Sequence, residues 1–355
     1  MIAEVPRSMR ALVLTKIGSP EYLEEQVVPV PALAAEDVLI EVHTVAANHQ
    51  DVFTLSGRAN ISQVDLPHIH GIDPAGKVAA VGSAVSGLTL GQRVMTKPSI
   101  ACGHCKFCVA GHDDACASLR NVGVHLHGGM AEYVAVPSSN VFRIPDTLTF
   151  EQATAIAHSF PVALLMLRER ASVTAEDVVL VTSASGAIGS ASVQLAKILG
   201  ATVVAAASSP ERAAYAAELG ADVTVDYGSE PRFADDVRRA FPDGVSVYVE
   251  SAGNPAVWSE ALATLGRRAR VTVCGAHAGP IVDLDLKWLF RSRVAILGSS
   301  GSSLRGFRDV IELAAAGRLV ANIDSVRPLA DAAAGFARLM TRQNRGKVIL
   351  QIATE

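Results

Sequence analysis

Cysteine is scarce in this chain. Five occur in 355 residues, and four of them crowd into one short stretch. So sparse a distribution argues against a disulfide-stapled secreted scaffold. No run approaches the roughly 18 uncharged apolar residues of a membrane-spanning helix. The opening MIAEVPRSMRALVLTK holds no apolar core of signal-peptide length. A strong charge of one sign is also lacking: the net charge of −4 gives no reason to expect a nucleic-acid partner. Internal repeats and low-complexity segments are absent. These absences lead to the expectation of a soluble, cytoplasmic protein that acts on a small-molecule substrate, with no nucleic-acid and no membrane partner. Hydrophobic residues, by contrast, make up 50% of the chain and charged ones 19%, enough for a large core. At this length two domains are the default.

The four clustered cysteines read Cys102-x2-Cys105-x2-Cys108-x7-Cys116. Thiolates bind zinc tetrahedrally, and Cys-x-x-Cys turns let neighbouring sulfurs face one ion. Four sulfurs close the coordination shell, so the site they imply is a structural Zn2+ with no open position. No proline follows the last cysteine as in the bacterial iron–sulfur run, which disfavours a cubane cluster. His104 and His112, interleaved with the sulfurs, read as exposed loop residues. Cys274, in ARVTVCGA, reads as a buried strand residue.

Along the chain the texture changes near Phe150. Before it, Ala11–Thr15, Val38–Ala46, Ala75–Val81, Arg93–Thr96 and Tyr133–Pro137 are short valine-rich runs bounded by glycine or proline, which predicts a β-rich region. After it, six apolar runs follow: 178–182, 202–206, 222–225, 245–249, 270–274 and 294–297. Helical patterns separate most of them, over 187–199, 210–219, 231–240 and 255–265. Continuous apolar strands alternating with helices predict an α/β, doubly wound parallel sheet. Proline at residues 210, 231 and 255 suits a first helical turn. From Leu304 a helix, a strand, a second helix and a final strand in GKVILQIATE are expected.

Between the first strand and helix of that alternation lies Ser183-Ala184-Ser185-Gly186-Ala187-Ile188-Gly189, a G-x-G-x-x-G fingerprint with Ala184 in the first position. Gly186 lets backbone approach a pyrophosphate, Gly189 lets helix pack on strand, and the helix start presents free amides. A cofactor without the extra ribose phosphate usually needs an acidic residue at the end of the second strand. That strand ends in Ser208, Ser209 and, two residues on, Arg212, with no carboxylate at the tip. Hydroxyls and a guanidinium suit a phosphate dianion, so NADPH is favoured over NADH. Tyr227, after the third strand, can lie beside the adenosine.

These motifs carry a resemblance. The chain resembles the medium-chain dehydrogenase/reductase superfamily over nearly its whole length: in the cysteine lobe, in Gly128-Gly129-Met130-Ala131-Glu132-Tyr133, in the turn with Gln194-Leu195-Ala196-Lys197, and in Gly346-Lys347-Val348. The resemblance implies a GroES-like catalytic domain over 1–150 and 301–355, carrying the zinc lobe 102–116, and a Rossmann NADP-binding domain over 151–300. The active cleft is expected between them. It also implies that Gly275, Ala276, Gly298 and Ser299 flank the nicotinamide, that His49 meets the pyrophosphate, and that Lys347 belongs to the cofactor site. Dimerisation through the last Rossmann strand is common in the superfamily, so a homodimer or homotetramer is expected.

Zinc alcohol dehydrogenases of this superfamily take catalytic-metal ligands from a C-x-x-D segment, a G-H-E segment and a position shortly before the Rossmann domain. Here the first is Asn48-His49-Gln50-Asp51, the second Gly71-Ile72-Asp73, and the third falls near His158. Asn48 stands for the cysteine and Ile72 for the histidine. Ile cannot bind a metal, and an amide is a poor zinc ligand. Asn48 and Asp51 look instead like the N-x-x-D of the zinc-free quinone oxidoreductase branch, which usually lacks the cysteine lobe. A rebuilt metal site would need Asp73, His158 and His70 or His43. Without a Lewis acid the acceptor should already be activated, a quinone or an α,β-unsaturated carbonyl. The alternatives are a zinc alcohol dehydrogenase with unusual ligands and a non-catalytic NADPH-binding protein. Some enoyl reductases of the superfamily carry a tyrosine as proton donor just after the first segment; Ser56-Gly57-Arg58-Ala59 has none. His158 is the expected proton donor or oxyanion partner, Asn48 and Gln50 are candidate amide donors, and Asp51 reads as a structural acceptor. His68, His125 and His127 lie in polar loops with no assigned role.

Overall fold

The computed structural model describes residues 5–57, 64–228 and 230–353. Arg58 and Ala59, where the absent tyrosine was noted, lie outside the described residues. The chain forms two compact units, 1–158 with 303–355, and 159–302. The division falls after His158, not at residue 150. The reason is local: the helix Phe150–Ala157 packs on the strands of the first unit, and Thr154 Oγ1 lies 2.7 Å from Thr44 Oγ1.

The first unit is built on strands. Its larger sheet runs, in spatial order, Val141–Arg143, Arg93–Thr96, Ala75–Val81, Asp37–Ala47, Lys347–Gln351 and Ile323–Pro328; Tyr133–Pro137 also pairs with Asp37–Ala47. The two ends of the sequence therefore meet at the centre of one sheet. The long strand Asp37–Ala47 is almost wholly buried because strands or helices cover it on every side. A second sheet joins Ser8–Leu14 to Leu23–Pro29 and to the short strand His68–Ile69. The predicted strands are present within a few residues of the expected bounds, and 75–81, 93–96 and 133–137 match at both ends.

The second unit is a six-stranded parallel sheet. Across it the strands run Val223–Asp226, Thr202–Ala207, Val178–Thr182, Val245–Glu250, Leu265–Val273 and Ala295–Gly298. This is the doubly wound order in which the chain reverses direction across the sheet between its first and fourth strands. Three of the strands, VVLVT, TVVAAA and VSVYVE, are valine-rich and largely buried. Two expectations shift. The third helix of the alternation starts at Ala234, not Pro231, because Glu260 of another helix accepts from the amides of Phe233 (2.8 Å) and Ala234 (2.9 Å). The fifth strand ends at Val273, so Cys274 follows it, half-buried, rather than lying within it. Among the described residues no helix is long and apolar enough to cross a membrane.

Candidate active site and metal centre

The strand Lys347–Gln351 runs antiparallel to Asp37–Ala47 with Val348 opposite Ala47. One step further along both chains, this register brings Lys347 to Asn48. On the other side Ala75 faces Thr44, which carries Asp73 to the amide of Ala46. Three segments far apart in sequence thus converge on one buried point. Asp73 is fully buried and accepts from Ala46 N (3.0 Å), Asn48 Nδ2 (3.1 Å) and Lys347 Nζ (2.9 Å). Lys347 Nζ also donates to Asn48 Oδ1. Asn48 Nδ2 gives its other proton to Ala46 O at 3.1 Å.

This geometry corrects two expectations. Both amide protons of Asn48 are engaged within the protein, so Asn48 is not a free donor to a substrate carbonyl. Lys347, expected at the cofactor, has its ammonium on Asp73 and Asn48. The catalytic-metal fit is poor for the same reason. The Asn48 oxygen faces a cation already covalently part of the chain, Asp73 neutralises that cation, and the Ile72 side chain is buried hydrocarbon. Nor is a metal set rebuilt nearby. His43 stacks on Phe150 with ring centroids 4.3 Å apart, and His70 Nδ1 lies 3.3 Å from Gly123 O. Among the described residues, the four cysteines alone bring three or more metal-binding side chains close enough for one ion.

Asp51 lies at the third position of the short helix His49–Leu55 and accepts from Asn48 N (2.8 Å) and Gly71 N (3.3 Å). It is an acceptor holding two turns together, as its position suggested. Burial, helped by the nearby Asp73 charge, pushes its carboxyl up to about 7. His49 opens the same helix, half-buried, and burial with the Lys347 and Arg342 charges pushes it down to about 4. Gln50 follows, also half-buried. His158 closes the helix Phe150–Ala157. Burial and then the Lys347 charge push it down to about 4, against the opposing pull of Asp73. It is therefore a neutral imidazole at neutral pH. Of the two roles expected for it, proton donor or oxyanion partner, a neutral imidazole suits the second, with its N–H donating a hydrogen bond.

The cysteine lobe fits a metal. The Sγ atoms of Cys102, Cys105, Cys108 and Cys116 all lie within 4.8 Å of one another, with Cys102–Cys108 at 3.9 Å and Cys105–Cys108 at 3.5 Å. Zinc–sulfur bonds of about 2.3 Å require a tetrahedral edge of about 3.8 Å. Amides already point at the sulfurs: Cys102 N to Cys116 Sγ at 3.3 Å and Cys105 N to Cys102 Sγ at 3.4 Å. Such contacts, from Cys108 and Ala117 first, pull the Cys105 thiol down to about 6. His104 and His112 are exposed, as expected for loop residues.

In the second unit the turn 183–189 leaves the end of Val178–Thr182 beside the point where the strand order reverses. Its left-handed residue is Ser183 (φ 52°). Gly186 caps the helix Ala187–Ile198. A Cβ at Gly189 would lie 2.2 Å from Ser183 O, so that glycine is required by the protein's own packing. A Cβ at Gly186 would meet only Ser183 O, at 3.3 Å. The space above Gly186 is thus open for a ligand, as a pyrophosphate needs. Ala184 is buried beneath the turn, and Ile188 lies in the first turn of the helix. Arg212 reaches back to donate from Nη1 to Ser185 Oγ at 2.8 Å, while Ser209 caps the next helix through Arg212 N. Ser208 is exposed and Tyr227 donates its amide to Ala207 O, so these residues gather at one strand end. Gly275 (φ 123°) packs on Ser251 O, Ala276 is exposed, Gly298 O accepts from Arg170 Nε (2.9 Å), and Ser299 N bonds Val273 O (2.9 Å).

Sequence reasoning missed three features. One is the Lys347–Asp73–Asn48 cluster; its signal was a lysine and an aspartate each set in an apolar segment. The second is buried Lys97, which holds Ser99 (2.7 Å to Oγ) and Asp113 (3.2 Å), while Asp113 also accepts from Leu304 N at 2.9 Å. The third is Glu250, which accepts from Tyr248 Oη and from the amides of Ala252 (2.5 Å) and Gly253 (2.8 Å). His68 is also buried in a strand rather than sitting in a polar loop.

A parallel dinucleotide-type sheet with an open glycine turn, next in sequence to a β-rich unit with a thiolate lobe, defines a nicotinamide-dependent dehydrogenase. Comparisons agree. The alcohol dehydrogenase GroES-like domain family matches residues 34–146 and the zinc-binding dehydrogenase family residues 187–316. The chain is 28% identical to the alcohol dehydrogenase of Geobacillus stearothermophilus over 351 residues, 97% of this chain and 100% of that protein. It is 32% identical to the L-threonine 3-dehydrogenase of Stenotrophomonas maltophilia over 269 residues, 75% of this chain and 77% of that one. A solved structure of an NAD-dependent alcohol dehydrogenase superposes with a TM-score of 0.91 at 34% identity, covering 97% of this chain and 100% of that one. The chain belongs to the zinc-type medium-chain dehydrogenase/reductase superfamily and is an NAD(P)-dependent oxidoreductase.

Proposed function

We propose that the protein is an NADPH-dependent reductase that delivers hydride to an already activated acceptor, a quinone or an α,β-unsaturated carbonyl, without a catalytic metal. The observation that carries this reading is the occupation of the would-be ligands: Asn48 Oδ1 and Asp73 Oδ2 both face the Lys347 ammonium, and Ile72 offers no donor atom. The bound nicotinamide supplies the hydride. The chain's own groups bind and polarise. Gly186 leaves room for the pyrophosphate, and the free amides at the start of Ala187–Ile198 meet its charge. Ser208, Ser209 and Arg212 suit the ribose phosphate, and residues 207–210 at the end of the strand Thr202–Ala207 include no carboxylate. His158, held neutral, offers an N–H to an oxygen that gains negative charge. Cys102, Cys105, Cys108 and Cys116 hold one structural zinc. Such thiolates suit a reducing compartment such as the cytoplasm, and we infer a homodimer or homotetramer.

A second reading has support in the names of the relatives above, alcohol and threonine dehydrogenases. It is a zinc-dependent alcohol dehydrogenase or aldehyde reductase. Metal analysis of the purified protein, with NADPH oxidation followed across quinones, enones, enoyl thioesters and aldehydes, separates the two. About one zinc per chain with quinone or enone turnover is the expected result. Two zincs per chain with aldehyde turnover would replace the first reading by the second. NADPH binding without oxidation by any acceptor would point to a non-catalytic binding protein.

A further inference from the structure

We propose that Asp113 couples zinc occupancy of the cysteine lobe to the start of the helix Leu304–Ala315, so that loss of the ion is felt where the chain re-enters the first unit. This rests on the structural-zinc reading above and goes beyond it. The lobe is closed at its base by the short strands Ser99–Ile100 and Arg120–Asn121, with Ile100 opposite Arg120. Asp113 lies within it, between the third and fourth cysteines, and opens the tight turn Asp113–Ala115. Its carbonyl accepts from Cys116 N at 3.2 Å, so its backbone moves with a metal ligand. Its carboxylate reaches two partners outside the lobe: Leu304 N, at 2.9 and 3.0 Å from its two oxygens, and Lys97 Nζ at 3.2 Å.

Both partners are anchored independently of the cysteines. Lys97 N donates to Asn140 O at 2.9 Å, and Asn140 Nδ2 donates back to Lys97 O at 2.9 Å. The Lys97 ammonium also donates to Ser99 O (2.9 Å) and Ser99 Oγ (2.7 Å). Leu304 is the first residue of a helix held down by buried Phe307, whose ring lies 4.8 Å from that of Phe142. A first-turn amide has no acceptor within its own helix. Ser303 Oγ serves Gly306 N at 3.0 Å, and Asp113 serves Leu304 N from 191 residues away. With the ion bound, four sulfurs share one centre and the turn between them is held. Without it, the sulfurs lose their common cation and the turn slackens. Asp113 then withdraws from Lys97, whose side chain is 2% exposed, and a buried charge stripped of its partner is costly. Coupling of this kind is reciprocal, so the helix start must in turn steady the ion.

The test compares the full-length, zinc-loaded protein with Asp113→Ala, Leu304→Pro, Leu304→Ala and the Asp113→Ala/Leu304→Pro double variant. Proline removes the Leu304 amide hydrogen and is tolerated at a first helical position; Ser303 before it has φ −75° and ψ 152°, which proline permits. Leu304→Ala loses the side chain but keeps the amide. Zinc release is followed with an excess of chromogenic chelator, and amide hydrogen exchange is read over 304–310. Release should be about three- to tenfold faster in Asp113→Ala and in Leu304→Pro, and within about twofold of wild type in Leu304→Ala. The double variant should be no faster than Asp113→Ala, because both changes break one link. Removing zinc should speed exchange at 304–310 in the wild type and leave it unaltered in Asp113→Ala. Wild-type release in Leu304→Pro, equal acceleration in Leu304→Ala, or additive effects in the double variant would overturn the link. If Asp113→Ala does not fold, the two Leu304 variants decide the matter. A wild-type lobe that takes up no zinc would remove the metal reading together with the link, whereas zinc held equally by every variant would remove the link alone.

Discussion

At the scale of single residues, charge and hydrogen bonding decide which cofactor and which chemistry the chain admits. Arg212 carries the discrimination between cofactors. Its guanidinium lies against Ser185 in the glycine turn, at the strand end where Ser208 is exposed. A ribose phosphate there would gain a charge-assisted partner that a free ribose hydroxyl does not need. Arg212→Ala should therefore raise the Kd of NADPH by about tenfold or more and leave that of NADH within about threefold. Fluorescence titration with both cofactors checks this, and equal losses would defeat the phosphate assignment. His158 shows the opposite case, a residue whose type suggested an acid and whose burial makes it neutral. Its sequence position gave its place but not its protonation state, because the depressing charge comes from Lys347, 189 residues further along the chain.

At the scale of elements, local pattern located most strands and helices, and neighbours set their ends. Ala75–Val81 and Tyr133–Pro137 were legible because apolar runs there are punctuated by glycine and proline. The helix starting at Ala234 was misplaced because its amides are capped by Glu260, 26 residues away from Ala234, and not by a local residue. The cysteine lobe was fully legible, since all its sulfurs lie in one loop whose spacing alone brings them together. Lys97 and Asp113, which tie that loop to Leu304, were not. Replacing Cys105 by Ser removes one thiolate of four, and because metal binding is coupled to folding, the lobe should loosen. Zinc content should fall from about one per chain to less than half. Limited proteolysis should then cut first within 102–116, with NADPH affinity unaffected. Retained zinc and unaltered proteolysis would show that the lobe is not a four-thiolate site.

At the scale of the whole molecule, the buried titratable groups set how the fold responds to acid. His49, His68 and His158 are pushed down to about 4 and His70 to about 3, burial being the first cause in each. Between pH 6.5 and those values the unfolded chain binds protons on these imidazoles and the native chain does not. Stability is therefore lost as pH falls through that window. Asp51, pushed up to about 7, has the opposite sign: the native chain holds its proton where the unfolded chain has released it, so its contribution improves as pH falls from 7 towards 4. Four imidazoles outweigh one carboxyl. Tm should fall steadily between pH 7 and pH 5, and a flat profile would show that these histidines are charged in the folded state.

The amino-acid sequence by itself determined what is local: the thiolate loop, the glycine turn, the alternation of apolar strands with helices, and the loss of the metal-binding cysteine and histidine. Each rests on spacing or side-chain chemistry within a few residues. Tertiary structure alone decided what occupies the vacated ligand positions. Only the antiparallel register of the final strand against Asp37–Ala47 brings Lys347 to Asn48 and Asp73, and side chains separated by hundreds of residues meet only when the sheet that joins both ends of the chain has formed.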